Sequence, residues 1–197
     1  MQIIGLTGGS GTGKSTVLAV LETMGAKTID CDALYHKLLA ENRELLAEIL
    51  ARFPQAAEDG GLNRKALGKI VFEDKEALSA LNAITHKYVI DAVKAQIEES
   101  RAAGLGLLAI EAIALVESGL AGLCTVVVAV LAKKEDRMAR IVRREGIGED
   151  YAKSRIESQQ EDGFFIAHAD IILENQGTQK EFGQKTLERM AEILKKG

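Results

Sequence analysis

The chain has 197 residues, 47% hydrophobic and 27% charged, which suffices for one domain with a lobe or two and a sizeable apolar core. A net charge of −4 argues against a general nucleic-acid surface, and no apolar run approaches the roughly 20 residues needed to cross a bilayer. Cys31 and Cys124 are too few and too widely spaced for a disulfide framework, and no C-x-x-C metal spacing occurs, so a reduced, cytoplasmic setting is expected.

From the first residues the chain runs into an apolar segment, Ile3-Ile4-Gly5-Leu6-Thr7, so no signal peptide is expected. Residues 8–15, Gly-Gly-Ser-Gly-Thr-Gly-Lys-Ser, then satisfy G-x-x-x-x-G-K-[ST], and Ser15 to Leu21 can start a helix. Gly8, Gly9, Gly11 and Gly13 let the backbone turn its N–H groups toward a phosphate. The helix N-terminus behind them adds a positive dipole end. Lys14 can reach the β- and γ-phosphates, and Ser15 can hold Mg²⁺.

Short apolar strands are predicted near 2–7, 27–31, 106–111, 124–131 and 169–173, with helical patterns between most of them. That alternation predicts an α/β fold with a mostly parallel sheet and helices on both faces. The second strand ends in Asp30-Cys31-Asp32. Ligands bind beyond the carboxyl ends of strands in such sheets. Asp30 and Asp32 would share a side if the strand extended that far. Asp32 reads either as a proton acceptor for an attacking hydroxyl or as the cap of a helix starting at Ala33.

Residues 33–104 read as a helical insert. Leu38, Leu39, Leu45, Leu46, Ile49 and Leu50 recur at helical spacing, and Pro54 and Glu58-Asp59-Gly60-Gly61 break the stretch. Asn63 can cap a new helix; further helices are expected from Lys75 to Asn82 and from Thr85 to about Ala102. After the central strand, Arg137, Arg140 and Arg144 share one face of a helix, with Arg143 beside Arg140. Glu145 to Asp150 make a glycine-containing turn, and another helix is expected to carry Arg155 and Gln159. This reads as a lid, because planar guanidinium forks suit phosphate oxygens and transfer requires water to be kept out; the alternative is a solvated charged helix. The last strand leads into Asn175-Gln176-Gly177, which is either an ordinary strand-to-helix turn or a neighbour of an adenine, and Thr178 can cap the closing helix.

Together these segments resemble the dephospho-CoA kinase family over nearly the whole chain. The likeness rests on Gly5 to Val17, Ile29-Asp30-Cys31-Asp32, Gly61 to Leu67 with Val71-Phe72, Leu81-Asn82-Ala83-Ile84-Thr85-His86, and Leu115-Val116-Glu117. It extends to Arg140, Arg144, Arg155 and Gln159 and to Ala169-Asp170 with Asn175-x-Gly177. The resemblance implies a P-loop kinase-like three-layer α/β/α fold with a five-stranded parallel sheet, a helical substrate lobe over 33–104 and a lid at about 138–158. The nucleotide core would be 1–32 and 105–197. It implies transfer of the ATP γ-phosphate to the ribose 3′-hydroxyl of dephospho-CoA, with Mg²⁺ accompanying ATP. Asp32 would be the base, with Lys14 and Arg140 as charge stabilisers. ATP would be held by Gly9, Gly11, Thr12, Gly13, Lys14, Ser15, Thr16, Arg144, Asn175 and Gly177. Thr7, Asp32, Arg64, His86 and Glu117 would serve the acceptor, although a packed helix histidine is the other reading of His86. Glu111 stands where the family often has an acid; it would help hold Mg²⁺ through water, or serve as a cap or surface group. Lys87 replaces the usual Pro after the histidine, Ile113-Ala114 stand where a Pro usually precedes Leu-Leu-x-Glu, and His36 replaces a common Arg. These departures fall on the acceptor side. The expected partners are ATP and dephospho-CoA, with neither nucleic acid nor membrane, in a monomer or weak homo-oligomer. The alternatives are a nucleoside or nucleoside monophosphate kinase and, from another class, a regulatory P-loop NTPase; no Asn-Lys-x-Asp guanine motif is present for the latter.

Overall fold

The computed structural model describes residues 1–58 and 61–195. The chain divides into two compact units, Met1–Asp30 with Glu99–Gly197, and Cys31–Glu98.

The first unit is built on β1 (Gln2–Thr7) and α1 (Lys14–Thr23), followed by β2 (Lys27–Asp30). In the second unit come α2 (Cys31–Glu41), α3 (Arg43–Arg52), a 3₁₀ turn Pro54–Ala56, the two-residue strands β3 (Ala57–Glu58) and β4 (Gly61–Leu62), and α4 (Arg64–Glu73). The long α5 (Lys75–Ala102) leads back to β5 (Leu107–Glu111). A 3₁₀ turn Leu120–Leu123, β6 (Val126–Leu131), α6 (Lys134–Glu145), α7 (Glu149–Glu157), α8 (Asp162–Ala167), β7 (Ile171–Glu174) and α9 (Gln179–Leu194) complete the chain.

Five strands form one sheet in the order β2-β5-β1-β6-β7, and every neighbouring pair is parallel. Parallel neighbours need crossover connections; α1 and α6 to α8 lie in two of them, and the one from β5 to β6 holds only the 3₁₀ turn. On one face Ile4, Leu6, Val128 and Val130 pack with Val17 and Leu21 of α1 and Phe182 and Met190 of α9. Elsewhere on the sheet Ala129 and Leu131 pack with Phe165 of α8. β1, apolar from Ile3 to Leu6, is buried from Ile3 onward, as a strand covered on both faces must be. Register sets Leu6 beside Glu111 and Glu111 beside Asp30, so the carboxyl ends of β1, β5 and β2 lie along one edge. The glycine-rich loop starts from that edge.

The second unit buries Leu39, Leu45, Ile49, Phe53, Ala56, Leu67, Ala77 and Leu81 in a core of its own. Asn42 caps α3 by accepting from Leu45 N at 2.9 Å, and Asn63 caps α4 as expected, accepting from Ala66 N at 2.9 Å. Asp59 and Gly60, within the expected break, lie outside the described residues.

Several boundaries differ from the sequence reading. The two helices expected at 75–82 and 85–102 are one 28-residue helix. No Gly or Pro interrupts it, and the Thr85 hydroxyl donates back to Leu81 O at 2.9 Å, so the helix runs on. The strand expected from Cys124 begins at Val126, because Leu120–Leu123 close a 3₁₀ turn first. Thr125 instead clasps Ile3: its N donates to Ile3 O at 2.8 Å and its Oγ1 accepts from Ile3 N at 2.9 Å. The last strand begins at Ile171 rather than Ala169, since the Asp170 carboxylate takes Val127 N at 2.8 Å in place of a ladder carbonyl. Among the described residues, no helix is long and apolar enough to cross a membrane.

Candidate active site

The loop between β1 and α1 depends on glycine for two reasons. Gly13 has φ 106°, in the left-handed region, and a Cβ there would drive into the Asn175 side-chain amide. Gly11 has φ 78°, and a Cβ there would stand 2.6 Å from the Arg137 carbonyl oxygen. The Thr12 hydroxyl closes the loop on itself by donating to Gly9 O at 2.9 Å. Lys14 is only 8% exposed; its Nζ donates to Gly8 O at 2.9 Å and Gly9 O at 3.3 Å and lies 3.3 Å from Glu111 Oε1. The lysine is thus fixed over the loop by charge and backbone together. Ser15, in the first turn of α1, is exposed, and Thr16 beside it is half-buried.

Other elements close on the loop from outside. Arg137 and Arg140 of α6 donate to Ser10 O at 3.0 Å through Nε and to Gly11 O at 3.1 Å through Nη1. Asn175, directly after β7, is buried, and its Nδ2 donates to Thr12 O at 2.7 Å while its Oδ1 accepts from Arg140 Nη2 at 3.3 Å. Gln159 binds Ser10 twice, accepting from its N at 2.8 Å and donating to its Oγ at 2.7 Å. Arg137 completes this set with Gln159 Oε1 at 3.2 Å and Asp162 Oδ1 at 3.6 Å. Burial lowers the Arg137 guanidinium from its ordinary pKa, against the opposing pull of Asp162.

Of the residues expected at a nucleotide site, Gly9, Gly11, Thr12, Gly13, Lys14, Arg140 and Asn175 are joined by these contacts. Gly177, with φ 88°, turns the chain into α9, whose N-terminus is closed by a reciprocal capping box between Thr178 and Glu181. The lid arginines divide. Arg144 and Arg155 both bind Glu145, each at 2.6 Å, and Arg144's hydrogen bond is the first cause holding the Glu145 carboxyl below its ordinary pKa. The helix expected to carry both Arg155 and Gln159 ends at Glu157, so Gln159 lies beyond it, where its amide is released to reach Ser10.

On the acceptor side, Thr7 is buried and its hydroxyl donates to Ile113 O at 3.0 Å, while Glu117 is exposed in the turn after β5. In the second unit, Asp32 is exposed in the first turn of α2. Because β2 ends at Asp30 and α2 starts at Cys31, Asp30 and Asp32 do not share a strand face, and Asp32 stands inside the helix rather than at its cap. Its carboxylate there favours the positive end of the helix dipole. Four residues on, His36 Nδ1 lies 3.4 Å from Arg64 Nη1, at the first turn of α4. Burial raises the neighbouring Tyr35 hydroxyl above its usual pKa, with Arg64 opposing. His86 lies half-buried within α5.

Ser10 and Arg137 take part in the loop's network without having been named among the nucleotide-holding residues, whereas Glu111, expected near Mg²⁺ or as a cap or surface group, lies against Lys14. Arg137 was visible as one of three arginines on a face; nothing in the pattern showed which of them is buried.

A G-K-S loop leaving the first strand of a parallel sheet, clasped by two arginines of the helix that follows the neighbouring strand, defines the class of P-loop kinases. The model of the dephospho-CoA kinase family matches residues 2–181. A dephospho-CoA kinase from Dehalococcoides mccartyi is 37% identical over 177 residues, covering 89% of this chain and 89% of that protein. Among solved structures, TT1252 from Thermus thermophilus superposes with a TM-score of 0.80 at 32% identity, covering 98% of this chain and 97% of that one. Dephospho-CoA kinase from Campylobacter jejuni gives a TM-score of 0.69 at 27% identity, with 99% and 98% covered. The chain belongs to the dephospho-CoA kinase family, and it is a kinase.

Proposed function

We infer that the chain carries out its family's reaction: transfer of the γ-phosphoryl group of ATP to the 3′-hydroxyl of dephospho-CoA, yielding coenzyme A and ADP. The observation that carries this reading is the match over residues 2–181 together with Lys14 fixed over a closed phosphate loop. The roles proposed for individual side chains rest on their chemistry. Asp32, exposed in the first turn of α2, accepts the proton of the ribose hydroxyl as its oxygen bonds to the γ-phosphorus. The bond from the γ-phosphorus to the bridging oxygen breaks, and ADP departs. Lys14 and Arg140 offset the charge on the transferring group. Gly9, Gly11, Thr12, Gly13, Ser15 and Thr16 hold the phosphates, and Asn175 and Gly177 border the base. Arg144 leaves Glu145 to join the phosphates when the lid over about 138–158 closes. Arg64 and His86 in the 33–104 lobe, with Thr7 and Glu117, receive the acceptor.

Mg²⁺ would enter with ATP. The available donor set is oxygen, the exposed Ser15 hydroxyl with the Glu111 carboxylate nearby in the loop's surroundings, which suits a hard cation. Among the described residues no cluster of three or more His, Cys, Asp or Glu could hold a metal by itself, so the ion would be shared between Ser15 and the nucleotide phosphates. When bound it would neutralise phosphate charge. We place the protein in the cytoplasm, as a monomer or weak oligomer.

The test is direct. With Mg-ATP and dephospho-CoA the protein should form CoA and ADP, and it should prefer this acceptor to nucleosides and nucleoside monophosphates at equal concentration. No CoA above a Lys14→Ala control refutes the reading. Asp32→Asn should lose most turnover, about 10²-fold or more for a removed general base, while ATP binding persists. Near-native turnover would remove Asp32 from the role of base.

A further inference from the structure

We propose that Arg137 is a positioning residue for phosphoryl transfer, holding the peptide between Ser10 and Gly11 so that its N–H faces the nucleotide phosphates. The inference rests on reading this loop as the ATP site. A trans peptide is planar and points its C=O and N–H in opposite directions. A loop that turns N–H groups inward to an anion therefore turns its carbonyls outward, and each outward carbonyl needs a donor.

Three consecutive peptides of this loop have one. The carbonyls of Ser10, Gly11 and Thr12 accept from Arg137 Nε at 3.0 Å, Arg140 Nη1 at 3.1 Å and Asn175 Nδ2 at 2.7 Å. The N–H groups carried by the same three peptides belong to Gly11, Thr12 and Gly13; that of Thr12 makes a long bond to Gly9 O at 3.4 Å within the loop. Two of the donors are cationic, and charge-assisted bonds hold a peptide plane more firmly than neutral ones.

Arg137 differs from Arg140 in how completely it is committed to this work. It is 5% exposed, and its guanidinium also meets Gln159 and Asp162. Gln159 in turn binds both the N–H and the hydroxyl of Ser10, so residue 10 is gripped on both sides of its Cα. The loop's glycines serve this grip as well. A Cβ on Gly9 would collide with Arg137 Nη2, and one on Gly11 with the Arg137 carbonyl. Glycines that leave room for phosphate on the inner side thus leave room for Arg137 on the outer side.

The experiment compares the parent with Arg137→Met, Arg137→Lys and Gln159→Leu at a temperature where circular dichroism shows each fully folded. ATP affinity is measured by calorimetry, and KM for ATP and for dephospho-CoA by steady-state kinetics. Loss of one charge-assisted bond predicts an ATP KM and Kd raised about tenfold in Arg137→Met, with KM for dephospho-CoA unchanged. Arg137→Lys should fall between parent and Met, and combining it with Gln159→Leu should cost less than the product of the single effects, because both act on Ser10. If Arg137→Met does not fold, the Lys variant and its pairing with Gln159→Leu decide. ATP binding by the variants equal to the parent's, or equal rises in KM for both substrates, would overturn the role of Arg137. A parent protein that fails to bind ATP would overturn the nucleotide reading itself and this inference with it.

Discussion

Asn175→Ala isolates one of the loop's outside supports. The Asn175 amide donates at 2.7 Å to Thr12 O, and Thr12 is fully buried. Truncation leaves that carbonyl without its donor in a place water does not reach, which costs about 1–3 kcal/mol. The second contact, Arg140 Nη2 to Oδ1 at 3.3 Å, adds less, because Arg140 is half-exposed and can rehydrate. For a chain of this size each kcal/mol moves Tm by roughly 2–4 °C, so Tm should fall by roughly 2–12 °C. The freed 12–13 peptide should also weaken ATP binding, since its N–H belongs to Gly13 at the loop's end. Thermal unfolding by circular dichroism and calorimetric titration with ATP measure the two effects. Asn175→Asp sharpens the test by setting a carboxylate oxygen against the Thr12 carbonyl while keeping an acceptor for Arg140. Both variants unfolding within about 1 °C of the parent, with unchanged ATP affinity, would refute the assignment of Asn175 as a support of the loop.

Glu145 makes the packing of α6 against α7 sensitive to acid. Its pKa is lowered, first by Arg144 and also by Arg155, so its contribution is present above the unfolded carboxyl value of 4.5 and is lost as pH falls through the lower folded value. Hydrogen-exchange protection around Ile141, Ala152 and Ile156 should therefore drop in acid, and Glu145→Gln should start lower at neutral pH and lose that acid step; the same step in the variant would contradict the assignment. Cys124 should resist alkylation. Burial raises its thiol from 9.0 to about 12, three decades less thiolate, so iodoacetamide at pH 8 should modify it about a thousandfold more slowly than in the denatured chain, and peptide mapping that finds rates within about tenfold would contradict this.

The phosphate loop was readable because its requirements are local. Left-handed φ at Gly11 and Gly13, a lysine one residue on and a helix behind them are encoded within eight positions. The caps at Asn63 and Thr178 were readable for the same reason, each needing only its own side chain and a backbone N–H three residues away. The five strands and their parallel class followed from short apolar runs alternating with helical pattern. Two misjudged boundaries were set by a distant partner, Thr125 clasping Ile3 and Asp170 capturing Val127, whereas the break expected near residue 83 was a local misreading, since Thr85 bonds back to Leu81 within one continuous helix.

The arginines of α6 mark the limit most clearly. By sequence Arg137, Arg140 and Arg144 are equivalent, three like residues along one helical face. The fold buries the first against Ser10, 127 positions away, joins the second to Gly11 and Asn175, and leaves the third on Glu145. Periodicity decides which side of a helix a residue occupies, because that depends on 3.6 residues per turn and nothing else. What that side meets depends on the sheet order β2-β5-β1-β6-β7, which sets β6, and so the start of α6, beside the strand that ends in the loop. The amino-acid sequence by itself determined the loop, the helix caps and the class of fold; only the tertiary structure decided which cation supports which carbonyl, because that contact energy exists only once residues far apart in the chain are packed together.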